Sequence, residues 1–392
     1  MRWRSAWLLV AAALCVSACG AQTVTSGGTA VTESTLSELK DTVAKASAVP
    51  TFTAPGPAIE NVAALRGKVM AIPVASQLQT CEQVAHVISS IGQQVGTPVT
   101  VFDNDGNPSQ WATGIQNAIL GGYSAIILIC GINPAAIAPQ LQSAISAGIK
   151  VMDYGWVFKS PLISGATVDP YDHDMRVLAD AALVQAGGKA TDALVITANE
   201  VPSAPDMVKS IQDEFQKKCG SACHVTVVNV PVAAWSTRIQ STMSSSLLAH
   251  PTITTVIPIF AGMLITGMPA VVQSHRAGVH VFTFGQGNVE LKMQTTPPGS
   301  QMIMADIGPS GPWAAYEAYY QTMLLLAGQQ PMAQETAFTP NRNWTPGNIN
   351  EYFSANGGYG TDFVNGFRKL LGLAPLSGSA LDAAASEGNG GV

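Results

Sequence analysis

Short apolar runs alternate with amphipathic helical segments from Lys68 to Ala327. The run Lys68–Val74 is apolar almost throughout, which is typical of a parallel strand buried on both faces. The next segment places apolar residues between Cys81 and Val95 at i, i+3, i+4 and i+7, which predicts a helix with one buried face. Because this strand–helix unit repeats, the chain is predicted to form parallel sheets covered by helices.

Two successive arrays of such units are predicted. The first has strands Lys68–Val74, Val99–Phe102, Ala125–Ile129 and Lys150–Asp153, and the second has strands Ala193–Thr197, Val225–Val230, Thr254–Pro258, His280–Phe284 and Met302–Ile307. A folded body of about 310 residues also exceeds what one hydrophobic core usually supports. We therefore predict an α/β fold of two doubly wound parallel-sheet lobes joined by a hinge. Ligands of such sheets bind beyond the carboxyl ends of the strands, so a site is expected in the cleft between the lobes.

Residues 1–19 have the pattern of an export signal. Two arginines precede the apolar stretch Ala6–Val16, which is too short to remain as a membrane-spanning helix. The run Val16-Ser17-Ala18-Cys19 resembles a bacterial lipobox, in which cleavage leaves a lipidated Cys19 as the first residue. The alternative is an ordinary signal peptide cleaved after Ala18, with Cys19 as a simple thiol. The lipobox interpretation places the protein in the cell envelope, held to the outer face of the cytoplasmic membrane by its lipid alone.

Composition divides the rest of the chain into segments. Residues 1–18 are the predicted signal peptide, and 19–60, rich in Ser, Thr, Gly, Ala and Pro, are expected to be a flexible tether. Within the tether, Ser34–Ala46 is expected to form at most a transient helix without a packed partner. Lobe 1 is assigned residues 61–157 with 307–330, lobe 2 residues 158–306 with 331–375, and 376–392 a disordered tail.

Charge and cysteine content exclude several classes of protein. Removing the two positive charges of Arg2 and Arg4 takes the formal net charge from −6 to −8, which argues against nucleic acid or an anionic membrane surface as a partner. In an oxidising compartment Cys219 and Cys223 are expected to form a disulfide. Cys81 and Cys130 either pair or remain buried thiols. Without a Cys-x-x-Cys motif or a spaced Cys/His set, no metal site is expected.

The order and spacing of several segments resemble the type I periplasmic sugar-binding proteins, the ribose-binding-like receptors of ABC importers. The resemblance runs from about Leu65 to Leu373. The segments that carry it are Val101-Phe102-Asp103 with Asn107-Pro108, Trp111 and Gln116; Ile126–Ile129 with Asn133-Pro134; Ala147–Val151; Val168-Asp169; Leu248–Pro251; and Gly278–Phe284.

The resemblance implies a cleft lined by the loops that follow the strands. Aromatic rings would cover the apolar face of a sugar, and amides and carboxylates would bind its hydroxyl groups. The positions that correspond are Ser76, Gln79, Thr80, Asn133, Trp156, Asp169, Trp235, Phe260, Met263, Gln286 and, at the end of the last main strand, Asp306.

Some of these residues also fit purely structural roles. Trp156 and Trp235 could be core or lobe-interface residues, Asp169 could cap the following helix, and Asn133 could start its helix. Trp111 and Trp313 are expected to be packing residues.

The implied function is that of an extracytoplasmic solute-binding lipoprotein of an ABC importer, which captures a small neutral sugar or sugar-like ligand. Sugar-binding relatives commonly have Asp where this chain has Asn133 and Gly285, and their cleft Arg has no clear counterpart. A partly apolar ligand is therefore expected, and the alternative is a receptor for a nucleoside or an aromatic or apolar metabolite in uptake or signalling. The expected partners are the ligand and an ABC permease, with no cofactor, and the protein is expected to be a monomer.

An enzyme is not expected. The six His residues are scattered, and Gly308-Pro309-Ser310-Gly311 lacks the spacing of a nucleophile elbow. Ser37-Glu38-Leu39-Lys40 fits Ser-x-x-Lys, but it lies in the predicted tether, where nothing would lower the pKa of the Lys. No Gly-x-Gly-x-x-Gly motif opens the first helix, so a dinucleotide cofactor is not indicated.

Overall fold

The computed structural model describes residues 30–65, 67–76, 79–156, 160–285, 287–334 and 336–387. The strands in these ranges are β1 Val69–Pro73, β2 Val99–Val101, β3 Ala125–Ile129, β4 Lys150–Gly155, β5 Gly165–Val168, β6 Asp192–Thr197, β7 His224–Asn229, β8 Ile253–Pro258, β9 His280–Phe284, β10 Ile303–Pro309 and β11 Asn341–Trp344. The helices are α1 Glu33–Ser47, α2 Gln79–Val95, α3 Pro108–Leu120, α4 Ala138–Ser146, α5 Tyr171–Gln185, α6 Ala204–Cys219, α7 Trp235–Ala249, α8 Leu264–Gln273, α9 Asn288–Gln294, α10 Gly299–Met302, α11 Gly311–Leu326, α12 Ile349–Tyr352, α13 Asp362–Leu370 and α14 Gly378–Ser386.

The first lobe is built on a parallel sheet in the order β2-β1-β3-β4-β5. All residues of β1 and β3 are buried, because helices cover both faces of the sheet. Along β1 the side chains alternate between two cores: Val69 and Ala71 face α2 and α11, whereas Met70 and Ile72 face α3 and α4. The strand order reverses at β1, which places the loops after β1 and β3 side by side.

The second lobe has a sheet in the order β11-β10-β9-β8-β6-β7, in which β11 is antiparallel to β10 and the other pairs are parallel. The prediction of two doubly wound α/β lobes is therefore confirmed. Two strands were not predicted. β5 lies in the first sheet although the sequence placed 158–306 in lobe 2, and the polar strand β11 closes the edge of the second sheet.

The N-terminal helix corrects one expectation. α1 packs against α5 of the second lobe, and Leu39 at its centre is fully buried. Leu36, Leu39 and Val43 form an apolar stripe that fits the surface of α5, so the helix has a packed partner.

The segment after α1 crosses to the first lobe. The Phe52 ring lies 6.0 Å from the Trp313 ring and 5.0 Å from the Phe367 ring, measured between centroids. The Tyr320 hydroxyl donates a hydrogen bond to the carbonyl oxygen of Pro57 at 2.6 Å, and Ile59 is buried. The described part of the expected tether is therefore packed against both lobes.

The C-terminal segment also differs from the expected tail. α14 packs against α13 and α11, and Ala385 is fully buried. The helix packs although most of its side chains are small. α13 itself, expected in lobe 2, lies on α11, with Phe363 and Phe367 in the same core as Trp313.

The described residues include two disulfides. The predicted Cys219–Cys223 bond is confirmed, and Cys81 pairs with Cys130, which decides the alternative left open by the sequence. Within the described ranges, no helix is both long enough and apolar enough to cross a bilayer.

Candidate ligand-binding cleft

Hydrogen bonds join the loop after β1 to the loop after β2. The backbone N–H of Asn104 donates to the Ser76 hydroxyl oxygen at 3.1 Å, and the Ser76 N–H donates to the Asn104 carbonyl oxygen at 2.9 Å. The buried Asn104 amide donates to the carbonyl oxygen of Pro73 and accepts from the Gly106 N–H, each at 2.9 Å. Sequence reasoning missed Asn104, although an Asn two residues before a Gly is a turn signal. Ser76 is thus a residue that joins the two loops at the carboxyl ends of β1 and β2.

Four of the predicted positions are either exposed or outside the described residues. Thr80 lies in the first turn of α2 and is exposed. Gln286, the side chain of Gln79 and the predicted lipidation site Cys19 lie outside what the structure describes.

Trp156 lies between the lobes. It follows β4 of the first sheet, and its ring is packed over Gly131, which follows β3. The same ring packs against the core cluster of the second lobe that contains Ile259 and Phe284. Trp156 is therefore a lobe-interface residue, one of the roles considered from the sequence, and it lies at the carboxyl ends of β3 and β4.

Asn133 performs the helix-starting role. Its side-chain oxygen accepts a hydrogen bond from the Ala135 N–H at 2.9 Å and caps the 3₁₀ turn Pro134–Ile137. The residue is half-buried.

Asp169 does not cap the following helix, since no side chain caps α5 at Pro170. Its carboxylate accepts a hydrogen bond from the Thr339 hydroxyl at 3.4 Å, and its backbone N–H donates to the carbonyl oxygen of Gly155 at 2.9 Å. Loss of hydration raises the pKa of Asp169 to about 7, against the opposing effect of the Thr339 hydrogen bond.

Carboxyl groups of both lobes converge on Asp169. Asp174 of α5 accepts from the Asn341 amide at 2.6 Å, and burial raises its pKa well above the ordinary range. Burial also raises the pKa of Glu317, in α11 of the first lobe, to about 8, and the charge of Asp169 adds to both shifts. Sequence reasoning missed Glu317. Loss of hydration is the largest cause of all three shifts, so each of these carboxyl groups keeps its proton to a higher pH than an exposed one would.

The second lobe contributes an aromatic pair. The rings of Trp235 and Phe260 lie 6.1 Å apart at 31°, and the Trp235 indole N–H donates to the carbonyl oxygen of Val230 at 3.0 Å. Both residues are half-buried. Met263 is fully buried in the core beneath them. Asp306 is buried inside β10, three residues before its end, which corrects its predicted place at the strand terminus.

A buried carboxyl group that was not predicted lies beside the aromatic pair. Glu290 is in the first turn of α9, and burial raises its pKa. A β-carbon added at Gly262 would lie 3.5 Å from Cζ3 of Trp235 and 3.8 Å from Oε1 of Glu290. A ring and a carboxyl group therefore flank the Gly262 backbone.

Two surface concavities lie elsewhere. One is bordered by Gln185, Lys189 and His280 and the other by Ser124 and Lys150. His280 and Lys150 begin their strands, so both concavities are at the amino ends of the sheets, opposite the cleft. Among the described residues, no group of three or more His, Cys, Asp and Glu side chains is arranged to hold a metal ion.

Solved structures share this fold at low sequence identity. An ABC sugar transporter subunit from Rhodobacter sphaeroides has 17% identity and a TM-score of 0.61, and the match covers 72% of this chain and 99% of that one. A 5-methylthioribose transporter solute-binding protein from Thermotoga lettingae, in complex with 5-methylthioribose, has 14% identity and a TM-score of 0.62 over 81% of this chain and 96% of its own. An ABC transporter solute-binding protein from Mycobacterium smegmatis, with bound glycerol, has 17% identity and a TM-score of 0.62 over 74% and 97%.

No curated protein matches the chain in sequence. The family model described as "Periplasmic binding protein domain" matches residues 81–330, which is more than half of the chain. Together with the two α/β lobes, this match shows that the chain belongs to the periplasmic binding protein family.

Proposed function

We propose that the protein is the extracytoplasmic solute-binding component of an ABC importer and that it holds a small neutral sugar or sugar-like molecule between its lobes. One observation carries the proposal: the Trp156 ring, fixed to the first lobe, packs against the core of the second lobe at the cleft. A molecule bound there would contact both lobes at once. The named relatives of the same fold, which bind 5-methylthioribose or glycerol, support this class of ligand.

The charges around the cleft favour a neutral ligand. Burial raises the pKa of Asp169 to about 7, that of Glu317 to about 8, and that of Asp174 well above its usual range, so these groups carry less negative charge at neutral pH than exposed carboxyl groups would. A cationic ligand would have to ionise them, and an anionic ligand would meet no cation among them.

A non-sugar ligand, such as a nucleoside or an aromatic metabolite, is the second candidate. The Trp235–Phe260 pair favours it, because two neighbouring rings offer an apolar face larger than a free sugar needs. Such a receptor would serve uptake or signalling.

Binding and closure are coupled in this proposal. The ligand contacts both lobes only when they are closed, so its binding free energy shifts the population towards the closed form. The closed form is then the one that an ABC permease recognises. The protein acts as a monomer and changes no covalent bond of its ligand.

A thermal-shift screen tests the proposal. Pentoses, hexoses, polyols and 5-methylthioribose form one panel, and nucleosides and aromatic metabolites form the second. We expect a compound of the first panel to raise the melting temperature and to be recovered chemically unaltered by mass spectrometry. A hit only in the second panel would support the second candidate, and a hit recovered as a different compound would overturn both.

Anchoring is part of the same proposal. Residues 1–18 are removed, and Cys19 carries the lipid that holds the protein to the outer face of the membrane. Cells fed a labelled fatty acid should label the wild-type protein and not the Cys19→Ala variant. Labelling of both proteins, or of neither, would contradict the anchor.

A further inference from the structure

The indole ring of Trp156 lies directly on the backbone of Gly131. A β-carbon added at Gly131 would lie 2.5 Å from Cε3 and 2.6 Å from Cδ2 of the ring, well inside van der Waals contact. Gly131 also has a φ of +78°, a left-handed conformation that favours glycine. The place of the Trp156 ring therefore depends on the absence of a side chain at position 131.

Cys130 sets the conformation of the same loop. It has a φ of +64° although it carries a side chain, and residues with a β-carbon rarely adopt that conformation. Its sulfur is bonded to Cys81 in the first turn of α2. Because the bond fixes the Cys130 side chain to α2, it opposes relaxation of the Cys130 backbone to a negative φ.

The end of β4 is packed on this loop, backbone to backbone. The Gly131 N–H donates to the carbonyl oxygen of Tyr154 at 3.1 Å. A β-carbon at Gly155 would lie 2.9 Å from the nitrogen of Gly131 and 3.1 Å from Cα of Cys130. A backbone change at Cys130 would therefore move the peptide that carries Trp156.

We propose that Gly131 and the Cys81–Cys130 disulfide are positioning elements, which hold the Trp156 ring between the lobes in the orientation that the ligand contacts. In this way the Cys81–Cys130 bond, although it does not contact the ligand itself, sets the ligand affinity. The ligand-contacting part of this proposal rests on the proposed function, whereas the positioning of the ring can be measured without a ligand.

Fluorine NMR of protein labelled with 5-fluorotryptophan tests the positioning. The Trp156 resonance is identified as the one lost in Trp156→Phe. We expect it to move in Gly131→Ala, where the new methyl group displaces the ring. The matched control is Gly148→Ala, because Gly148 also has a positive φ, +85°, but no atom lies within 4 Å of an added β-carbon. The control carries similar backbone strain without ring displacement and should leave the Trp156 resonance in place.

The disulfide is tested in the same way. The double variant Cys81→Ser/Cys130→Ser should move or broaden the Trp156 resonance, and Cys219→Ser/Cys223→Ser, which removes the other disulfide, should not. A Trp156 resonance that coincides with the wild type in both Gly131→Ala and the Cys81/Cys130 variant overturns the proposal. If the Trp156 resonance moves in Gly131→Ala but not in the Cys81/Cys130 variant, the proposed role of the disulfide is overturned.

Calorimetric titration with 5-methylthioribose and with each panel compound that raises the melting temperature measures the consequence. Gly131→Ala and the Cys81/Cys130 variant should weaken binding by about tenfold, as expected when a stacked ring loses its place, and the two controls should bind like the wild type. Equal affinity in all four variants would overturn the link to affinity. If the wild-type protein binds no compound of either panel, the proposed function is contradicted. The fluorine NMR result on the position of the Trp156 ring would still stand.

Discussion

The guanidinium Nε of Arg342 donates a hydrogen bond to the backbone carbonyl oxygen of Ser47 at 2.9 Å, across 295 residues of chain. The same buried side chain donates to the carbonyl oxygen of Gly358 and, at 2.7 Å, to the carboxylate of Glu351. Ser47 ends α1, so a positive charge lies at the negative end of the helix dipole. Arg342 therefore joins the N-terminal helix to β11 and to the C-terminal segment.

Replacing Arg342 by Met should lower the free energy of unfolding by about 3 kcal/mol, because two backbone carbonyl groups lose charged donors in a buried site. Urea denaturation at neutral pH measures the loss. Glu351→Gln is the control: the Glu351 side chain is 52% exposed, so its ion pair should contribute less than about 1 kcal/mol. Equal losses of stability in the two variants would mean that the ion pair with Glu351 provides the stabilisation and that the hydrogen bonds to the two backbone carbonyl oxygens do not.

The packing of α1 on the second lobe makes a separate prediction. Leu39→Ala should destabilise the protein by roughly 2–5 kcal/mol, since it leaves a cavity under a fully buried side chain. Leu248, which is 85% exposed, offers the matched control, and Leu248→Ala should change stability by no more than about 0.5 kcal/mol. If Leu39→Ala were as mild as its control, α1 would not be part of the folded lobe in solution.

Binding measurements can separate the aromatic residues proposed for the ligand site from those of the core. Trp156→Ala and Trp235→Ala should each weaken ligand binding by more than about tenfold while the protein stays folded. Trp313→Phe is the control, because Trp313 is buried and stacked on Phe363 at 4.6 Å in the first core. It should lower the melting temperature without changing the dissociation constant. Unchanged affinity in Trp156→Ala or Trp235→Ala would remove that residue from the site.

Strands buried on both faces were predictable because they read as continuous apolar runs. The predicted bounds Ala125–Ile129 and His280–Phe284 are those of β3 and β9. β5 has four residues, too few for a pattern, and β11 reads Asn-Arg-Asn-Trp, which gives no apolar signal. β11 is a strand because its backbone pairs with β10 and α1 covers it, and both contacts come from distant sequence.

The candidate site was predictable only in part, for a related reason. Trp156 follows a strand that could be recognised, so its place at the carboxyl end of the first sheet could be predicted. Its contact with Gly131 depends on a left-handed backbone conformation at Cys130, which no local sequence pattern indicates. Glu317 lies in α11, a helix buried on almost every side, and such a helix shows no polar face from which the role of one carboxyl group could be inferred.

The same burial makes stability depend on pH. An unfolded chain releases a Glu proton near about pH 4, whereas burial raises the pKa of Glu317 to about 8 in the folded protein. Between these values the folded state binds more protons than the unfolded state, so the free energy of unfolding falls as the pH rises. The contribution of Glu317 is fully present below about pH 4 and is lost by about pH 8, at no more than about 1.4 kcal/mol per pH unit.

Glu317→Gln should therefore flatten the fall in stability between about pH 5 and about pH 7, because the amide resembles the protonated acid and does not titrate. Asp153, Asp169 and Asp174 also have pKa values raised by burial, so part of the slope should remain. Asp213→Asn, which neutralises a carboxylate that is 56% exposed, is the matched control and should leave the slope as it is. Urea denaturation at each pH measures the slope. An unchanged slope in Glu317→Gln would show that this carboxyl group is ionised in the folded protein, and the low charge proposed for the cleft would lose its support.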